Sequence, residues 1–145
     1  MILKIKNNSK NELPKYARPG DSGFDLRANV ARITTILPGR RAIIPTGIHV
    51  DIPDGYEIQV RSRSGLAAKF GVFCLNSPGT IDSNYSDEIM VILFNLGEEN
   101  FTINPGDRIA QAVLMKVEHA DLEETKEDIV KEQDRGGGLG STGVE

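Results

Sequence analysis

Residues 61–67 read RSRSGLA, so two guanidinium groups and two hydroxyls precede a short helical pattern. We predict that a strand ends here and that a helix begins at or near Ser64. A helix N-terminus with a serine cap and an adjacent arginine such as Arg63 presents N–H groups and positive charge to an anion. The segment therefore suits phosphate, although an ordinary capped helix with exposed arginines has the same pattern.

A second group of polar side chains lies in a turn-rich hairpin over residues 75–85, between apolar strands. Asp82 follows an apolar residue, and a carboxylate near bound phosphate can act as general base on a water. Tyr85 can stack under a sugar or a base, and the amide of Asn76 can donate and accept a hydrogen bond. Each has an ordinary alternative, because Asp and Asn often close turns and Tyr often packs at the rim of a core.

Two carboxylates, Asp21 and Asp25, lie on either side of Gly23 in a predicted turn. Oxygen ligands suit Mg²⁺, which keeps several waters and takes one or two carboxylates together with substrate phosphates. Solvated aspartates in a loop that leads into a strand have the same spacing, and spacing alone favours that interpretation. For Asp21 we favour a turn-closing role. Gln111 is the polar member of a predicted strand and is a further candidate.

Short strands must position these side chains. Proline and glycine recur throughout the first 107 residues, and the segments between them alternate or are continuously apolar. Such a pattern is typical of an all-β sandwich or barrel. The predicted strands cover residues 3–6, 32–37, 41–44, 47–52, 57–61, 72–75, 89–96, 101–103 and 108–117, and the one helix before the tail covers residues 64–70.

The composition changes near residue 118. Residues 1–117 carry a net charge of +2, whereas residues 118–135 carry −5 and have few apolar side chains. We therefore predict a β-rich domain over residues 1–118 and an arm over residues 119–145. Such an arm buries too little apolar surface to order by itself, yet its glycine-rich end has bare N–H groups that suit phosphate. We expect it to be disordered when empty and ordered over a bound anion.

Composition excludes several classes of protein. The longest apolar stretch, residues 89–94, is far shorter than the ~20 residues of a membrane span. One cysteine, Cys74, and two distant histidines argue against a disulfide framework and a protein-built zinc site. The net charge of −4 leaves no broad basic surface for nucleic acid. We expect a soluble cytoplasmic protein that binds neither membrane nor nucleic acid.

Five segments together resemble the ordered motifs of the trimeric deoxyuridine triphosphatases (dUTPases). In chain order they read GDSGFDLRA, RSRSGLAAKFGV, NSPGTIDSNY, NPGDRIAQAV and RGGGLGSTG, and they span about residues 19–143. The resemblance implies a jelly-roll-like all-β subunit and a homotrimer with active sites between subunits. It also implies Mg²⁺ as cofactor and the hydrolysis of dUTP to dUMP and pyrophosphate. That reaction keeps uracil out of DNA and supplies dUMP for thymidylate synthesis.

The resemblance also implies roles for the candidate residues. Asp82 would activate the water that attacks the α-phosphorus, Tyr85 would pack on the deoxyribose, and Asn76 would hydrogen-bond uracil. Asp25 would contact Mg²⁺ through a water. The residues that would hold the phosphate chain are Arg63, Ser64, Gly65 and Gln111, and those that would close from the arm are Arg135, Leu139, Ser141 and Thr142.

The chain departs from the family's usual pattern at three positions. Proline is usual where this chain has Ser62, glycine is usual near Asp87, and phenylalanine is usual where it has Leu139. Leucine can cover uracil but lacks an aromatic face, so we expect weaker closure of the arm. The nearest alternative function is that of the related dCTP deaminases, which would use a Glu near the hairpin. Another is a trimeric scaffold that binds nucleotide without hydrolysing it.

Overall fold

The computed structural model describes residues 1–133 and residue 136. In these residues the chain forms short strands and one helix, which confirms the all-β prediction. The elements are β1 (Lys4–Asn7), β2 (Phe24–Arg27), β3 (Thr34–Ile36), β4 (Arg41–Pro45), β5 (Ile48–Asp51), β6 (Tyr56–Arg61), α1 (Ser64–Phe70), β7 (Val72–Cys74), β8 (Gly79–Ile81), β9 (Met90–Asn95), β10 (Phe101–Ile103) and β11 (Arg108–Lys116).

Two antiparallel sheets form most of the fold. One has the strand order β2-β11-β6-β8 and the other has the order β4-β9-β7, while β1 pairs with β5 and β3 pairs with β10. Period-two alternation buries Ile58 and Val60 of β6, and likewise Val91 and Leu93 of β9, in one hydrophobic core. The architecture is jelly-roll-like, and long-range strand pairing holds the site residues in place.

Two strands lie where turns were predicted. β2 covers the segment that contains Asp25, and β8 covers part of the expected hairpin. The predicted strands on either side of residues 75–85 are β7 and β9, and they pair antiparallel, so the hairpin prediction is confirmed. β8 lies within the connection between them and was not predicted, and it pairs with β6 of the other sheet. Glycine and aspartate weaken the local strand signal here, and pairing with β11 and β6 outweighs that local preference.

The predicted helix over residues 64–70 is confirmed at both ends, but its cap is not serine. Arg63 occupies the N-cap position, no side chain caps the helix, and Ser64 is the first helical residue. At the other end Gly71 adopts a left-handed conformation with φ of 65°. A Cβ there would lie 2.8 Å from the backbone nitrogen of Gly97, so both the turn and the close packing require glycine.

β11 is the last strand of the described residues, and it ends at Lys116. From there to residue 133 the chain has neither helix nor strand, and the side chains of Leu122, Ile129 and Val130 are exposed. The division at residue 118 stays a prediction. Within the described residues, no helix has the length and apolarity that crossing a membrane requires.

Candidate active site

Asp25 on the edge strand β2 contacts two arginines. Its Oδ1 accepts a hydrogen bond from Arg63 Nε at 3.0 Å, and its Oδ2 accepts one from Arg108 Nη1 at 3.3 Å. Arg63 Nη1 also donates to the carbonyl oxygen of Arg108 at 3.1 Å. This cluster carries two positive charges and one negative charge. It can therefore attract an anion while the carboxylate keeps the guanidinium groups in place.

Arg108 was not predicted as a site residue. Gln111 of β11 lies opposite Asp25, but the register shifts between Arg108 and Ala110, so that Arg108 lies opposite Arg27. This irregularity inserts one extra residue and turns Arg108 toward the face of β2 that carries Asp25. Regular alternation from Gln111 would have placed Arg108 on the opposite face. A bulge of this kind has no clear signal in a single sequence.

A cleft of about 210 Å³ lies beside the cluster. The residues that line it are Asp25, Arg63, Ser64, Gly65 and Gln111. Ser64 and Gly65 begin α1, where an α-helix leaves backbone N–H groups without intrahelical partners. The structure thus brings together the predicted metal contact and all four of the residues predicted to hold phosphate. The cleft presents donors and positive charge, which suits a phosphate chain.

Gln111 and Ser62 link the cleft to the strands behind it. Gln111 Nε2 donates to the carbonyl oxygen of Ser62 at 3.0 Å, which leaves a second N–H on the same nitrogen for a ligand. The Ser62 hydroxyl oxygen accepts the backbone N–H of Cys74 at 2.9 Å. A proline at position 62 would lack this hydroxyl. The serine therefore adds a contact between the start of α1 and β7.

Cys74 is buried behind the cleft, with 1% of its surface exposed, as expected for a small core residue. Burial raises the pKa of its thiol above the usual 9.0, and a hydrogen bond with Ser62 opposes part of that change. The folded protein therefore holds the thiol proton more tightly than the unfolded chain does. This stabilisation is fully present below the thiol pKa of the unfolded chain, and it is lost as the pH rises through the thiol pKa of the folded protein.

We therefore expect the Cys74→Ala variant to resist alkaline denaturation better than the wild type does. Below about pH 8 the difference between their melting temperatures should be constant, whereas above about pH 9 the wild type should lose stability faster. Melting temperatures of both proteins across this range test the prediction. A difference that does not change with pH would contradict it.

Asn76, Asp82 and Tyr85 lie in the segment around β8. A Cβ on Gly79 would lie 3.0 Å from Asn76 Nδ2, so glycine leaves room for that amide. Asp82 is exposed, and its carbonyl oxygen accepts the backbone N–H of Tyr85 at 3.1 Å. The Tyr85 hydroxyl donates to the carbonyl oxygen of Glu88 at 2.9 Å. Tyr85 is half-buried against the core and borders a second cleft of about 380 Å³.

The two groups of residues lie at opposite ends of β6. Ile81 lies opposite Ile58, so the next residue, Asp82, lies beside Glu57 near the beginning of β6, whereas Ser62 follows its end. The span of five residues between these points is roughly 17 Å at 3.3 Å per residue. Asp82 and Arg63 are therefore well separated along the direction of β6 in the same chain.

Comparison with known protein families identifies the family to which this chain belongs. The family model described as dUTPase matches residues 9–143. The deoxyuridine 5'-triphosphate nucleotidohydrolase of Chlamydia muridarum is 57% identical over 138 residues, which is 95% of each chain. The chain belongs to the dUTPase family. The enzyme of the same name from Neorickettsia sennetsu is 50% identical and covers 99% of this chain and 96% of its own.

Solved dUTPase structures share the fold. The dUTPase of Staphylococcus bacteriophage 80alpha with dUpNHpp superimposes with a TM-score of 0.82 at 26% identity, over 99% of both chains. A dUTPase from phage phi11 of S. aureus, described with a structural Mg(II) ion, superimposes with a TM-score of 0.77 at 23% identity. It covers 88% of this chain and 98% of the phage chain.

The side chains of this dUTPase family member supply only some of the ligands that a Mg²⁺ ion needs. Within the described residues no group of three or more His, Cys, Asp or Glu side chains could hold a metal by itself. Asp25 contributes one carboxylate to the lining of the cleft of about 210 Å³, which suits an ion that takes its other ligands from water and substrate. Asp21 accepts the backbone N–H of Arg18 at 2.8 Å, which supports the turn-closing interpretation.

The remaining predicted contacts of this dUTPase lie outside the described residues. They are Arg135, Leu139, Ser141 and Thr142. Their roles in closing the arm stay predictions.

Proposed function

We propose that the chain hydrolyses dUTP to dUMP and pyrophosphate in active sites that are shared between subunits of a homotrimer. The observation that carries the proposal is the cleft formed by Asp25, Arg63, Ser64, Gly65 and Gln111. Family membership, and relatives named deoxyuridine 5'-triphosphate nucleotidohydrolase over nearly the whole chain, support the substrate. The phage relative with bound dUpNHpp supports recognition of a triphosphate nucleotide.

The cleft would bind the triphosphate through charge and directed N–H groups. Arg63 is positioned by Asp25 through Nε, and its terminal nitrogens can meet phosphate oxygens. The N–H groups at the start of α1 and the amide of Gln111 would complete the contacts. Neutralisation of phosphoryl oxygens is the main electrostatic requirement of phosphoryl transfer, so these groups would lower the barrier as well as bind substrate.

Asp82 would be the general base. Its carboxylate takes a proton from a water, the water oxygen forms a bond to the α-phosphorus, and the bond from that phosphorus to the bridging oxygen breaks. Pyrophosphate leaves with the bridging oxygen. The exposure of Asp82 supports this role, because the carboxylate is accessible to a water and to substrate.

Asn76 and Tyr85 would select the nucleoside. The Asn76 amide is exposed beside Gly79, where it can pair with the edge of uracil. Tyr85 would pack on the deoxyribose and leave no room for a ribose 2′-hydroxyl. A site that hydrogen-bonds uracil rejects cytosine strongly, because the wrong pattern leaves buried polar groups unpaired.

The distance between the two groups supports the homotrimer. Because Asp82 and Arg63 lie at opposite ends of β6, a complete site would combine Asp82 from one subunit with Arg63 from another. A closed symmetric oligomer can supply both from identical chains.

Magnesium and the arm would complete the site. Asp25 would hold Mg²⁺ through a water, and the ion would supply charge neutralisation to the phosphates. Residues 119–145 would act as an arm over the substrate, with Arg135, Ser141 and Thr142 on phosphate and Leu139 on uracil, and would exclude water. The single free cysteine supports a cytoplasmic location.

The direct test is to measure pyrophosphate release from dUTP, dCTP, dTTP and UTP, each with and without Mg²⁺. We expect release from dUTP alone, at a rate that Mg²⁺ increases. Ammonia release from dCTP would instead indicate a deaminase, and tight dUTP binding without turnover would indicate a nucleotide-binding scaffold. A native mass near that of one subunit would contradict the shared sites.

A further inference from the structure

The loop over residues 82–88, which carries Asp82 and Tyr85, is held by the segment before and within β5. The Thr46 hydroxyl donates to the carbonyl oxygen of Ile89 at 2.7 Å. The backbone N–H of Ile89 donates to the carbonyl oxygen of Ile48 at 2.8 Å. The loop itself contacts the same segment through the ring of a histidine on β5.

His49 contacts this loop one residue after Tyr85. Its Nδ1 lies 3.1 Å from the carbonyl oxygen of Ser86, and its Nε2 lies 3.2 Å from Asn8 Nδ2. A carbonyl oxygen can only accept a hydrogen bond, so Nδ1 must carry a proton. In the neutral ring Nε2 then accepts from the Asn8 amide. The two contacts thus fix both the tautomer and the orientation of the ring.

The residue that His49 contacts, Ser86, is linked to both proposed site residues, Tyr85 and Asp82. Tyr85 is the preceding residue in the chain, and its hydroxyl donates a hydrogen bond to the carbonyl oxygen of Glu88. Its backbone N–H is in turn bound by the carbonyl oxygen of Asp82 at 3.1 Å. The ring of His49 therefore fixes the backbone of the loop between Asp82 and Glu88, where a small displacement would move the Asp82 carboxylate.

We propose that His49 is a positioning residue for dUTP hydrolysis, whose Nδ1–H tautomer holds the Ser86 carbonyl and through it Tyr85 and Asp82. The proposal rests on the function proposed above. His49 borders the second cleft and not the phosphate-binding cleft, so its effect acts on the loop and not on the phosphates. The sequence alone offered no partner for this histidine.

Two substitutions distinguish the nitrogen atoms of the ring. The amide nitrogen of Asn at position 49 can occupy the place of Nδ1 and still donate to Ser86, whereas that of Gln reaches toward the place of Nε2. We expect His49→Gln to lower kcat about fivefold to tenfold with KM changed less than about twofold. We expect His49→Asn to keep kcat within about twofold of the wild type.

The tautomer of the His49 imidazole can be measured in a test that does not require enzymatic turnover. The nitrogen-15 shifts of labelled histidine should show the Nδ1–H tautomer for His49, with a His119→Gln variant to assign the second histidine. Hydrogen exchange over residues 82–88 should be faster in His49→Gln and unchanged in His49→Asn.

The outcomes separate this inference from the proposed function. If the wild type does not hydrolyse dUTP, the proposed function fails and so does the role of His49 in hydrolysis, while the shifts and exchange rates still decide the loop contact. If the wild type hydrolyses dUTP but the Asn and Gln variants lose kcat equally, or both keep it, the positioning role is wrong. An Nε2–H tautomer would also overturn it.

Discussion

We expect the Asp82→Asn variant to lose dUTP hydrolysis by about 10²–10⁴-fold, because an amide cannot take a proton from the attacking water. The side chain is exposed, so the variant should fold normally. The proposed phosphate contacts lie elsewhere, so dUTP should still bind. Pyrophosphate release at saturating dUTP measures the loss, and equilibrium binding of a nonhydrolysable dUTP analogue checks that the site is intact.

The matched control for this experiment is Asp87→Asn. Asp87 is an exposed carboxylate on the same loop, and its replacement changes the net charge by the same amount. We expect the control to keep nearly full activity. If Asp82→Asn kept more than about a tenth of the wild-type kcat, Asp82 would not be the general base. Equal losses in both variants would attribute the effect to charge or to loop structure instead.

The second large effect is expected from Arg63→Ala, which should lower kcat/KM by about 10²–10³-fold. The variant removes the guanidinium that lines the proposed phosphate-binding cleft, and it leaves Asp25 with only one of its two arginine contacts. Arg32→Ala removes the same charge from an exposed turn and should leave activity unchanged. Steady-state kinetics with dUTP and Mg²⁺ test both variants.

The two inactive variants should restore activity when they are combined. If Asp82 and Arg63 of one site come from different subunits, about a third of the sites in trimers that contain both variants are intact. Co-expression of Asp82→Asn with Arg63→Ala, followed by purification through tags on both chains, provides the mixed trimers. If the mixed trimers are as inactive as either variant alone, Asp82 and Arg63 of one site come from the same chain, and the shared site is contradicted.

The sequence predicts the β class and the helix well because the signals for both are local. Period-two alternation marks strands such as β6 and β9, and the segment SGLAAKF forms α1 as expected. β2 and β8 were not predicted as strands. β2 has only four residues and contains an aspartate, β8 has only three and contains a glycine, and each forms a strand by pairing with a partner that is distant in sequence. The grouping of Asp25 with Gln111 follows from such pairing, which no single segment encodes.

The candidate site was predicted residue by residue, whereas its arrangement was not. Motif order led to Asp25, Arg63 and Gln111, but the contribution of Arg108 depends on an irregular register at the start of β11. Nothing in the sequence singles out His49, because its partner Ser86 is distant in sequence. Contacts of this kind become visible only when the chain is folded.

If Asn76 selects the nucleobase as proposed, the connection between β7 and β8 links that selection to the spacing of the two sheets. Asn76 lies on a connection of a few residues whose ends belong to different sheets, and Gly79 packs closely against Val60 of β6. A core substitution that moves one sheet relative to the other would therefore displace the Asn76 amide. Discrimination between uracil and cytosine would then be sensitive to core packing.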